Sequence, residues 1–197
     1  MPTDLPNDDT SPDDRYAYKA SLIGSAHQFE LTNKGLSWKV GGRSGVWAYT
    51  EISAISLSYR PMTMQSRRFR ADISRAGGGR IKILSTTWQT VSLMAPQDHG
   101  YRAFITGLHR RMAAAGSRAT LTGGLSVPLY AAAIVMVGLL AIAMVGLLVR
   151  ALAVGEWAGV LFLIGFAALF VWQIGGFIRR NRPIVYRFDH LPAALLP

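Results

Sequence analysis

Seven basic side chains lie within a 23-residue stretch of this 197-residue chain, and they are the strongest candidates for chemistry in the sequence. A single acid, Asp72, lies among them. Such a cluster can bind a polyanion, either a lipid surface or a nucleic acid. A solvated sheet face explains the same residues without any ligand. The seven are Arg60, Arg67, Arg68, Arg70, Arg75, Arg80 and Lys82.

The other reactive side chains do not form a recognisable catalytic set. The chain has no cysteine, which excludes thiol nucleophiles, disulfides and cysteine-ligated metal sites. Its histidines have none of the spacings that metal ligands use. We therefore expect no enzyme activity, no metal and no cofactor. The histidines are His27, His99, His109 and His190.

Charge is distributed unevenly along the chain. Residues 1–14 carry −5, residues 15–118 carry +12, residues 119–178 are neutral and residues 179–197 carry +3. Half of the residues are hydrophobic, and the apolar runs fall in the neutral part. The excess of basic charge therefore belongs to the segments on either side of the apolar part.

Two apolar runs predict membrane-spanning helices. Residues 127–149 and 157–178 contain no charged residue. At about 1.5 Å per residue each run spans a hydrocarbon layer of about 30 Å. We predict transmembrane helices over 125–150 and 157–178, joined by a short external loop at 151–156.

Basic residues on both sides of the runs predict the orientation. Arg179, Arg180 and Arg182 follow the second run, and Arg118 precedes the first, whereas the connection Arg150–Glu156 has one arginine. The positive-inside rule then assigns both termini to the cytoplasm. We expect a multi-pass protein of the cytoplasmic membrane.

The predicted spans contain no ionisable residue at membrane depth, which argues against transport or channel activity. Small residues and one amide are candidates for helix packing, and they leave homo-oligomerisation open. They equally allow the hairpin to dock into a larger membrane complex. These residues are Gly138, Gly146, Gly155, Gly159 and Gln173.

The first 15 residues predict a disordered acidic tail, and residues 16–118 predict a cytoplasmic α+β domain. Alternating apolar and polar residues indicate about seven antiparallel strands separated by glycine turns. An amphipathic helix follows from about residue 101 to 116. The tail at 179–197 is basic and apolar, and it docks either on the domain or on a partner. The predicted strands are 27–32, 36–40, 46–49, 52–60, 67–74, 80–85 and 90–94.

Several short motifs in this region match one family. They are Phe29-Glu30-Leu31-Thr32, Tyr49-Thr50-Glu51-Ile52, Ile81-Lys82-Ile83, and a helix led by Tyr101 and Phe104. With these motifs the chain resembles the bacterial pleckstrin-homology-like domains of small membrane proteins. The resemblance implies a β-barrel or sandwich closed by the C-terminal helix, in the bacterial inner membrane. It implies no catalytic residue.

The domain precedes a membrane span directly, so anionic lipid is the expected partner of the basic cluster. A bilayer surface attracts each nearby Lys or Arg by about 1 kcal/mol. Nucleic acid ranks lower, because no stacking aromatic residues interleave with the basic residues. Met62 and Met64 are candidates for insertion beside the headgroups. We expect a protein that holds its domain on the membrane and recruits or organises a protein partner.

Overall fold

The computed structural model describes residues 12–60, 67–90 and 93–197, which form an α+β protein. The chain divides into two units. One runs to Thr122 and resumes over Val185–Pro197, and the other is Gly123–Ile184. The helices are α1 (Asp98–Ala114), α2 (Val127–Ala153) and α3 (Trp157–Arg180). The strands are β1 (Arg15–Tyr18), β2 (His27–Thr32), β3 (Gly35–Val40), β4 (Arg43–Trp47), β5 (Ile52–Tyr59), β6 (Phe69–Arg75), β7 (Arg80–Leu84), β8 (Thr86–Trp88), β9 (Met94–Pro96), β10 (Thr120–Gly123) and β11 (Ile184–Val185).

Strands β1 to β4 form one antiparallel sheet in chain order. The turn between β2 and β3 ends at Gly35, whose φ is +144°. A Cβ atom on Gly35 would lie 2.2 Å from the carbonyl oxygen of Trp47. Glycine is therefore required where β3 begins, because any side chain would collide with the backbone of β4.

Strands β5, β6 and β7 form the centre of a second sheet, in which β10 and β11 lie beyond β5. Its register pairs Ile55 with Ile73 and Leu57 with Ala71, and all four are fully buried. Strands β8 and β9 form a separate hairpin. The described strands form no closed barrel, so the pleckstrin-homology-like barrel stays a prediction.

Helix α1 packs its apolar side on the first sheet. The ring of Phe104 lies 5.7 Å from that of Tyr16 and 6.4 Å from that of Phe29. A spacing of three and four residues places the buried side chains on one face, as the sequence predicted. These side chains are Tyr101, Phe104, Ile105, Leu108 and Met112.

The folded chain begins before the predicted boundary at residue 15. Residues Pro12–Asp14 form a 3-10 turn that runs into β1. The buried Asp14 carboxylate accepts a hydrogen bond from Arg111 at 2.7 Å, which ties this turn to α1. Residues 1–11 lie outside the described residues.

The second unit is an antiparallel pair of long apolar helices. At about 1.5 Å per residue, α2 and α3 measure about 40 and 36 Å. After α2 the amide of Gly155 donates to Leu152 and that of Glu156 donates to Ala151. With Gly155 at φ +72°, this is a Schellman motif, which ends the helix and begins the reversal.

Candidate functional site

The register of β6 and β7 gathers part of the basic cluster on one face of the second sheet. Asp72 lies opposite Lys82 and Ser74 lies opposite Arg80. Arg70 projects to the same side, because side chains alternate along a strand. The intervening apolar residues of both strands are buried, so this basic face is the outer face of the sheet.

Three members of the basic cluster are engaged within the protein. Arg68 donates to the Thr86 hydroxyl at 3.0 Å and contacts the sulfur of Met94. Arg70 pairs with Asp72 at 2.6 Å. The side chains of that pair are only 19% and 12% exposed. Arg68 and Arg70 therefore make contacts that stabilise the fold, in addition to contributing positive charge to its surface.

Arg75 also has a partner, since its guanidinium lies 3.3 Å from Glu51. Both side chains are exposed, so the pair contributes little to stability.

Four members of the cluster are exposed and form no ion pair with any residue in the described ranges. They are Arg60, Arg67, Arg80 and Lys82. A ligand can therefore reach these charges without displacing an internal carboxylate. The candidate methionines Met62 and Met64 lie outside the described residues.

The edge strand that carries Lys82 is held by two tyrosine hydroxyls from the other sheet. Tyr18 donates to the carbonyl oxygen of Lys82 and Tyr16 to that of Leu84, both at 2.6 Å. Burial raises the pKa of both tyrosines, which therefore remain protonated donors at neutral pH. His27 Nδ1 lies 3.1 Å from the Tyr18 hydroxyl and completes the group.

The sequence prediction missed these tyrosines because it placed no strand before residue 27. The signal is present in the four residues Arg15–Tyr18, where two aromatic residues alternate with exposed ones. A run of four is short for a strand assigned from its pattern alone.

The sequence allowed the C-terminal segment to dock on the domain or on a partner, and in the structure it packs on the first unit. The rings of Tyr186 and Phe188 lie 5.7 and 6.1 Å from that of His109. Leu195 and Leu196 are buried, and Arg102 donates to the backbone oxygen of Pro197. The segment Val185–Pro197 is thus part of the folded domain.

His109 joins this segment to α1 through both ring nitrogens. Nδ1 lies 2.7 Å from the Ile105 carbonyl oxygen, so it donates there. Nε2 lies 3.0 Å from the Tyr186 hydroxyl, which donates to it when the imidazole is neutral. Burial lowers the pKa of His109 and keeps the ring neutral at pH 7.

The glycines predicted for helix packing have different surroundings. A Cβ atom on Gly159 would lie 3.9 Å from that of Ala151, so Gly159 lies at the α2–α3 contact. Cβ atoms on Gly138 and Gly146 would have no atom within 4 Å in the described structure. Gly155 lies in the turn after α2, where its positive φ is needed.

The remaining predicted residues of the hairpin lie on α3 or just after it. Gln173 is exposed on α3, Arg179 and Arg180 are its last two residues, and Arg182 follows at the surface. Just beyond this end, the residues that precede α2 and follow α3 are joined by a hydrogen bond from the Leu125 amide to the Asn181 carbonyl oxygen at 2.9 Å.

Both α2 and α3 are long and apolar enough to cross a membrane, and their most apolar windows are not buried in protein. A soluble protein would bury such helices in its core. These features support a membrane location. No protein-family model matches the chain, and comparison with curated proteins and with solved structures finds no match.

Replacing Tyr18 by Phe removes the donor to the Lys82 carbonyl, and we expect it to lower the free energy of unfolding of the first unit by about 1–3 kcal/mol. Tyr101 is a matched control, because its buried hydroxyl has no hydrogen-bond partner among the described residues. Tyr101→Phe should therefore cost little or nothing. Hydrogen exchange of β6 and β7 amides measures both effects, and equal losses in the two variants would contradict the role of Tyr18.

The buried His109 predicts that acid loosens the C-terminal segment. The unfolded chain binds the imidazole proton more tightly than the folded chain, because burial lowers the folded pKa. Its stabilising contribution is thus complete above about pH 6.5 and is lost as pH falls below that value. Exchange of amides 186–196, corrected for intrinsic rates, should accelerate between pH 7.5 and 5.5. His109→Gln should reduce this dependence, whereas His99→Gln, at an exposed position on the same helix, should retain it.

Proposed function

We propose that this protein is a non-enzymatic integral membrane protein whose basic domain binds the anionic cytoplasmic surface of the membrane and recruits or organises a protein partner. The observation that carries the proposal is the group of four exposed basic residues that have no acidic partner among the described residues, in a chain that also contains two apolar helices. Arg60, Arg67, Arg80 and Lys82 are the residues concerned.

Covalent connection supports this function. The domain joins the hairpin at both of its ends, around residues 122 and 185. If the hairpin crosses the bilayer, neither connection is long enough to release the domain into the bulk cytoplasm. The basic residues at the end of α3 and just after it favour the cytoplasmic side for both termini.

Charge supports anionic lipid as the ligand. At about 1 kcal/mol for each basic residue, four contacts supply about 4 kcal/mol, which corresponds to about a thousandfold enrichment. This is ample for a tethered domain, which needs only to be oriented. Nucleic acid is a weaker candidate, since the outer face of β6 and β7 carries no stacking aromatic side chain.

The resemblance to bacterial pleckstrin-homology-like domains is part of the proposal. The arrangement of β1 to β7 in two antiparallel sheets, followed by α1, supports it. Such a domain in a multi-pass protein of the bacterial inner membrane would serve as a surface adaptor.

The hairpin supports a second candidate, an accessory subunit of a larger membrane complex. Gln173 is exposed on α3, and its amide has no hydrogen-bond partner among the described residues. In hydrocarbon an unpaired amide is costly, and a neighbouring helix can satisfy it. The open glycines Gly138 and Gly146 allow close approach of such a helix.

Purification in a mild detergent separates the two candidates. An accessory subunit should copurify with a stable partner, and Gln173→Leu should weaken that association. A homodimer would instead assign the polar helix face to a second copy. A monomeric peak of the wild-type chain, unchanged in the variant, would contradict the accessory role.

Charge reversal on β7 tests the lipid-binding function. The reagent is a chain in which a flexible linker replaces residues 123–184, so that both segments of the first unit remain. We expect Arg80→Glu with Lys82→Glu to weaken its flotation with anionic vesicles at least about 30-fold, the loss of two contacts of about 1 kcal/mol each. The wild-type version should not float with zwitterionic vesicles.

The matched control for that experiment is Lys34→Glu with Lys39→Glu, which makes the same change in net charge at exposed positions of the first sheet. Its flotation should decrease much less. Equal losses in both double variants would assign binding to net charge alone, and unchanged flotation of the β7 variant would refute lipid binding by this face.

A further inference from the structure

Among the described loop residues of the first unit, the most exposed large apolar side chains lie on two loops that the strands bring together. Ile23 is 91% exposed and Leu22 is 44% exposed, both between β1 and β2. Leu93 is 54% exposed in the turn of the β8–β9 hairpin. Isolated exposed leucines are ordinary, but adjacent loop tips of this kind mark an interaction surface.

Backbone contacts join the two loops at their bases. The Trp88 amide donates to the Lys19 carbonyl oxygen at 3.1 Å, and the Lys19 amide donates to the Thr87 hydroxyl at 2.9 Å. Lys19 begins the loop that carries Leu22 and Ile23. The tips therefore emerge from one continuous edge of the domain.

A third segment of the same edge carries basic residues. Arg68 is bonded to Thr86 and in contact with Met94, one on each strand of the β8–β9 hairpin. The Arg60 amide donates to the Arg68 carbonyl oxygen at 2.8 Å, so the ends of β5 and β6 adjoin this hairpin.

The described residues of these three segments, namely 19–26, 60, 67–68, 86–90 and 93–96, include no acidic residue. Four basic residues lie within them, namely Lys19, Arg60, Arg67 and Arg68. Exposed apolar tips surrounded by uncompensated positive charge are complementary to an anionic bilayer, in which the apolar groups leave water and the basic groups meet phosphate. An acidic protein partner would satisfy the charges but would need a separate apolar pocket for the protruding Ile23, whereas a bilayer supplies both environments.

We propose that Leu22, Ile23 and Leu93 form a wedge that inserts into the interfacial region of an anionic leaflet, with Lys19, Arg60 and Arg67 on the headgroups. The proposal rests on the proposed lipid-binding function, and it specifies how deeply the domain enters the leaflet and which edge faces it. The face of β7 then supplies additional attraction, while the wedge determines which edge of the domain enters the bilayer.

The absence of cysteine makes a direct test possible in the full chain. Single variants Ile23→Cys, Leu93→Cys and Val46→Cys carry a nitroxide label in anionic nanodiscs. Val46 is a matched control, because it is an apolar residue 52% exposed on β4, outside the wedge. Electron paramagnetic resonance measures collision of each label with oxygen, which concentrates in hydrocarbon, and with a neutral nickel chelate, which stays in water.

We expect labels at positions 23 and 93 to collide more with oxygen than with the chelate, and the label at 46 to do the reverse. In zwitterionic nanodiscs the difference should decrease. In the linker-joined chain, Ile23→Asp should weaken binding to anionic vesicles about tenfold, from the loss of one buried aliphatic side chain.

The wedge proposal would be wrong if, in anionic nanodiscs, the label at position 23 were as exposed to water as the label at position 46. If the β7 charge reversal still weakened flotation as expected in that case, surface binding would stand and only insertion would fail. If instead the label at 23 were protected only after addition of a soluble protein, the edge would be a protein-binding site and the wedge proposal would be wrong.

Discussion

The two tyrosine hydroxyls of β1 are the interaction on which the domain depends. β7 ends one sheet and β1 ends the other, so each strand has a side without a neighbouring strand in the described structure. Tyr16 and Tyr18 join these sides by donating to the carbonyl oxygens of Leu84 and Lys82. Unpaired backbone groups at a buried edge are costly, and a side chain that satisfies them replaces a missing strand. The bonds also fix the backbone of β7, from which the basic face projects.

The same junction brings the loops of the domain together. Immediately after Tyr18, Lys19 bonds to β8, and β8 is bonded in turn to Arg68. The basic cluster thus has two roles, and the residue types alone do not show which member has which role. Arg68 and Arg70 hold elements together, while Arg80 and Lys82 remain available to a ligand. A substitution of all basic residues at once would confuse loss of fold with loss of binding.

Much of the fold could be predicted from the sequence, because periodic patterns report burial directly. β2 has the predicted bounds, and the two long apolar helices are confirmed. The strand predicted over 90–94 is matched only at Met94 among the described residues: β9 begins there, and Thr90 and Leu93 bond to each other instead. Short apolar runs fit a strand or a turn equally well, and the observed hairpin is held by contacts with Lys19 and Arg68 that lie far away in the sequence. The engagement of Arg70 by Asp72 likewise depends on side-chain geometry that a charge count does not contain.

In the proposed function, anionic lipid holds the basic domain against the membrane. Neutron reflectometry of the full chain in a supported bilayer tests it directly, since the scattering profile gives the distance between domain and headgroups. We expect the domain layer to lie against the headgroups when the bilayer contains anionic lipid, and a hydrated gap to open when the lipid is zwitterionic or the salt concentration is high. An identical profile in anionic and zwitterionic bilayers would contradict it.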